Sequence, residues 1–83
     1  MTSATPGPAL AGPKSARELL DMTFLDMRSH LLETASAFDR IERADGGATL
    51  RDDPRARLLR EACDIIARGE GNRVERFLAL FSA

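Results

Sequence analysis

Apolar residues recurring at alternating steps of four and three are the strongest constraint on this chain. Leu20, Phe24, Met27, Leu31, Thr34, Phe38 and Ile41 form a seam sustained over three heptads, with Thr34 its single polar member. A strand would show alternation with period two, so the seam specifies a long amphipathic helix. Ser15 and Glu18 have the spacing of a capping box, in which hydroxyl and carboxylate each satisfy a free backbone N–H at the helix start. Asp45-Gly46-Gly47 supplies a C-terminal turn, and Arg40 and Arg43 complement the helix dipole. The helix therefore covers about residues 15–44, a length of about 45 Å at 1.5 Å per residue.

The face of this helix is wider than one neighbour covers. At 100° per residue, Ala35, Leu32 and Leu25 extend the seam to an arc of roughly 200°, twice the stripe of an ordinary surface helix. Arg28 and Asp39 fall within the wider arc and give that flank a polar edge. Two elements of this chain, or one element and a second copy, are needed to cover such a face.

The remainder of the chain supplies a return limb. Ala48–Asp52 reads as an irregular connection, and Asp53-Pro54 opens a second helix with aspartate as N-cap and proline in the first turn. On it Leu58, Leu59, Ala62, Ile65 and Ile66 form an inward stripe. Arg57–Glu61, Arg60–Asp64 and Asp64–Arg68 have ion-pair spacing on the opposite face. Gly69 is expected to end that helix in the left-handed conformation, and Asn72 with Glu75 to cap a short third one. Val74, Phe77, Leu78 and Phe81 mark the apolar face of that third helix. The expected fold is all-α: an antiparallel helical hairpin, one long helix (about 15–44) against a return limb broken into 54–68 and 72–82. Two copies would complete a four-helix-like bundle. Residues 1–13, with three prolines, two glycines and no charged side chain, read as a disordered leader to a single helical domain over 14–83.

Composition narrows the function classes. An 83-residue chain buries only about 60% of its unfolded surface and is marginally stable without a metal, disulfides or a partner. The single cysteine, Cys63, provides no internal disulfide and fits a reducing, cytoplasmic setting, where it is expected to pack as a small buried hydrophobe. No basic and apolar leader indicates a signal peptide, and no apolar run approaches the ~20 residues that span a bilayer. A formal net charge of −1 gives no general attraction to nucleic acid or anionic lipid. Arg51, Arg55, Arg57 and Arg60 cluster at the second helix, but Asp52, Asp53 and Glu61 dilute them, and neither Trp nor Tyr is present to stack on bases.

One constellation bears on metal chemistry. Asp26, His30 and Glu33 lie at i, i+4 and i+7 on one stripe of the long helix, a donor set for a divalent metal if a second copy adds ligands. The alternative is a solvent-facing stripe with an ordinary Asp26–His30 pair, and the order His-x-x-Glu reverses the Glu-x-x-His of di-metal carboxylate bundles. No nucleophile or oxyanion donor accompanies these residues, so they specify no catalytic site and no organic cofactor. Gly46-Gly47 lacks a following Gly-Lys-Ser/Thr and is no phosphate-cradling loop. The expected function is a non-enzymatic oligomerisation or protein-interaction module acting as a homodimer, with Leu25 and Leu32 in or beside the interface. A metal-binding helical protein and a nucleic-acid-associated regulator are the alternatives.

Overall fold

The first helix begins and ends where its caps require. A computed structural model describes residues 14–82, and within them α1 runs Ala16–Arg43. The Ser15 N–H donates to Glu18 Oε1 at 2.8 Å, and the Glu18 N–H donates to Ser15 Oγ at 3.1 Å. These reciprocal bonds satisfy two of the four backbone donors left free at a helix start. The hydroxyl of Thr34 donates to the His30 carbonyl at 3.0 Å, so the polar member of the seam is satisfied by its own helix.

After α1 the chain passes through Gly46 at φ 82°, a left-handed conformation that glycine adopts without Cβ strain. The expected irregular connection is a 3-10 turn over Gly47–Leu50, steadied by the Thr49 hydroxyl donating to the Gly46 carbonyl at 2.6 Å. Helix α2 spans Pro54–Arg68 with Asp53 as its N-cap; the Asp53 carboxylate accepts from the Arg55 N–H at 2.8 Å. Helix α3 spans Arg73–Ser82. All regular structure among the described residues is helical, with no strand. The leader expected at 1–13 lies outside the described residues.

The chain divides into two units whose boundary falls within α1, between Ala37 and Phe38. In the first, residues 14–36 are all exposed. Phe24 and Leu31, expected to be nearly fully buried, are 52% and 57% exposed in the single chain, and Phe38 is half-buried. A helix cannot bury its own stripe; burial needs a neighbouring element against it.

In the second unit α2 and α3 pack on each other. Ala62, central in the α2 stripe, is the buried apolar side chain there at 4% exposure, with Leu58 and Ile65 half-buried on either side. Helix α3 turns Leu80 to a half-buried position, whereas Val74 and Leu78, two of its expected face residues, are well exposed. The rings of Phe77 and Phe81, one turn apart, sit with centroids 4.9 Å apart at 39°, a tilted pairing.

The α2–α3 junction departs from expectation. Gly69 is extended at φ −66°, and the positive φ of 91° belongs to Gly71. Glycine is needed at 69 for space: a Cβ would come within 2.5 Å of Arg73 Cγ and 2.8 Å of the Ile65 carbonyl oxygen. The Arg73 side chain crosses this point so that its Nε donates to the Ile66 carbonyl at 2.6 Å, supplying a partner to a last-turn carbonyl of α2.

Candidate functional site

Two apolar surfaces stand out, one in each unit. The first is the N-terminal part of α1, where the S-x-x-E cap starts the helix and the heptad seam and its flank are exposed. Leu19, Leu20, Phe24, Leu25, Met27, Leu31 and Leu32 are all about half exposed or more, and Leu25 reaches 71%. The seam and its Leu25–Leu32 flank are both open in the single chain.

Asp26, His30 and Glu33 occupy the opposite flank of the same helix, as their spacing requires, and all three are exposed. Among the described residues no three His, Cys, Asp or Glu side chains are grouped so as to share a metal ion. One helical stripe spaces its side chains along the axis, so a metal there would need ligands from outside this stripe. The ion pairs among the described residues are Arg55–Asp53 at 3.3 Å and Arg68–Asp64 at 3.4 Å, and Asp26–His30 is not one of them. Of the three pairs expected on α2, only Asp64–Arg68 forms. Arg60 instead donates from Nη2 to the Arg51 carbonyl at 2.8 Å, which ties the start of α2 to the segment before it.

The second surface is a groove within residues 38–60, with a cavity volume of about 690 Å³. That volume lies within the range of about 300–1,000 Å³ typical of ligand clefts. Phe38, Ile41, Leu50, Ala56 and Leu59 give it an apolar floor. Arg51, Arg55 and Arg60 line it as well, against Glu42 and Asp53. Hydrogen bonds from the Arg55 side chain and then its backbone N–H hold the Asp53 carboxyl below the ordinary aspartate range. Asp53 is thus an anion committed to its own cap and to Arg55. Neither a nucleophile–base pair nor an oxyanion pocket accompanies the groove, so its chemistry is that of apolar and ionic contact.

The sequence reading identified the members of the groove separately, as the end of a seam, a loop and a capped helix. It missed that Gly47 brings them together. Gly47 is buried because a Cβ there would collide with the Ile41 carbonyl oxygen and come within 2.5 Å of the Glu42 carbonyl oxygen. A glycine pair after a helix signals a turn, but not which glycine is enclosed. Cys63, expected to be buried, is exposed as a free thiol, because its place at the edge of the α2 stripe lies outside the surface packed around Ala62. No helix among the described residues is long and apolar enough to cross a membrane. No family model, curated protein or solved structure matches the chain.

Proposed function

We propose that this chain is a small non-enzymatic oligomerisation or protein-interaction module of the cytoplasm, working as a homodimer paired through α1. The supporting observation is the exposed apolar face between Leu19 and Leu32. A run of large apolar side chains exposed together on one helix marks an interaction surface. The antiparallel hairpin and the four-helix-like bundle of two copies are the arrangement in which this face and the α2–α3 limb would be covered together. The lone thiol, with no disulfide to form within the chain, suits a reducing compartment.

Light scattering and sedimentation across a concentration series test this reading. The wild type is expected at twice the chain mass, and Leu25→Glu with Leu32→Glu at half of that, with stability that depends on concentration only in the wild type. A wild-type protein that sediments as a monomer at tens of micromolar overturns the proposal.

A further inference from the structure

The face of α1 between Arg17 and Thr34 matches itself when read in opposite directions. Arg17 stands three residues before Leu20 and begins the seam that continues through Phe24, Met27, Leu31 and Thr34, so a polar residue closes this part of it at each end. The stretch lies wholly within the first unit, and every residue in it is exposed. Asp21 and Arg28, seven residues apart, line one edge of the seam. Neither belongs to an ion pair among the described residues. We propose that two copies pair antiparallel through residues 17–34, about a two-fold axis beside Leu25 and Asp26, with Asp21 of each copy set against the partner's Arg28. This rests on the self-association proposed above and adds its orientation and its register.

In that register Phe24 meets the partner's Met27, Leu20 the partner's Leu31 and Arg17 the partner's Thr34, so apolar stands on apolar and polar on polar. A two-fold pair makes each of these contacts twice, which is what a self-complementary face requires. The residues beside the seam select the register, because they face one another across the pair. Sliding one copy by a heptad in one direction sets Arg28 against the partner's Arg28 and Phe24 against the partner's Thr34. Sliding it the other way sets Asp21 against the partner's Asp21. A parallel pair in register stacks Arg17 on the partner's Arg17 and offers Asp21 and Arg28 no opposite charge. The other edge of the seam carries Thr23 and His30, which meet each other in the antiparallel pair. Glu18 is held in the capping box, and Asp26 and Glu33 are turned away from the seam, so none of the three enters these contacts. Leu25 lies on the flank of Asp21 and Arg28, which places it beside the two-fold axis.

Exchanging the two charges tests orientation and register. Asp21→Arg alone and Arg28→Asp alone each turn both attractions into repulsions. Each is expected to weaken the dimer by about tenfold at low salt, read by sedimentation across a concentration series with helical circular dichroism retained. Asp21→Arg together with Arg28→Asp in one chain restores both pairs and should return the dimer to near wild-type strength. Positions 21 and 28 are about 10 Å apart along one helix, so a rescue of this kind arises between copies. Single variants that dimerise like wild type, or a double variant no stronger than the singles, overturn the register and leave pairing through α1 standing; a monomeric wild type overturns both. Should a single variant lose its helix, oxidation of an equimolar mixture of Cys63→Ser chains carrying Leu20→Cys or Leu31→Cys decides the matter. Mixed 20–31 disulfides well above the random half of all disulfides support the antiparallel register, and half or fewer overturn it.

Discussion

Residues 14–36 and residues 47–82 both carry helical apolar stripes, yet only the second stretch contains buried positions. In the first, eight large apolar side chains on a well-capped helix remain exposed. In the second, the buried positions are Gly47, Ala62 and Gly69, all small. Burial within one chain therefore follows its turns and its α2–α3 packing, which press small residues against neighbouring groups. The size of the apolar stripe does not decide it. The longest stripe is exposed in the single chain because a helix cannot cover its own stripe.

The largest effect is expected from Phe24→Ala. If a second copy covers the seam, the substitution costs about 3–5 kcal/mol, as for other large-to-small changes in a core. If the seam stays in water, it behaves as a surface change, within about 0.5 kcal/mol. Urea unfolding at two protein concentrations measures the cost, and we expect the larger value at the higher concentration. The half-buried Phe38 then serves as the internal comparison.

Next in size is Gly47→Ala, which sets a methyl group against fixed carbonyls of α1 and should cost about 2–3 kcal/mol as overpacking. Gly69→Ala is expected to cost less, about 1 kcal/mol, because its nearest obstacle is the movable Arg73 side chain, the Ile65 carbonyl oxygen stands off at 2.8 Å, and its φ suits any residue. Thermal melts of the two variants that rank in the opposite order would break the comparison between a position closed by backbone alone and one closed mainly by a side chain. Ser15→Ala should cost about 1 kcal/mol by removing one arm of the capping box, read as lost helicity near the start of α1.

The smallest effect is electrostatic. The carboxyl of Asp53 titrates below its ordinary value because Arg55 hydrogen-bonds its charged form. The cap's contribution is thus present above the unfolded-state value and is lost as pH falls through the folded one. Melting temperature followed downward from neutral pH should fall more steeply at the acid end in wild type than in Asp53→Asn. Equal slopes would show that the cap is not coupled to this proton.

The sequence by itself determined the local structure: the capping pair Ser15–Glu18, the Asp53-Pro54 start of α2, and helix limits matching the chain to within about a residue. Those features depend on groups three or four positions apart, which the sequence places beside one another in any helix. It also placed Asp26, His30 and Glu33 on one stripe, since periodicity alone decides that. Only the tertiary structure decided that Gly47 is enclosed, that Gly69 is extended while Gly71 turns left-handed, and that Arg73 reaches back to the Ile66 carbonyl. It likewise chose Leu80 over Val74 and Leu78, and assembled the groove from a seam end, a turn and a helix start. These choices turn on the close approach of segments separated along the chain. No local pattern of residues encodes that approach, because it depends on which surfaces remain after each helix has satisfied its own backbone.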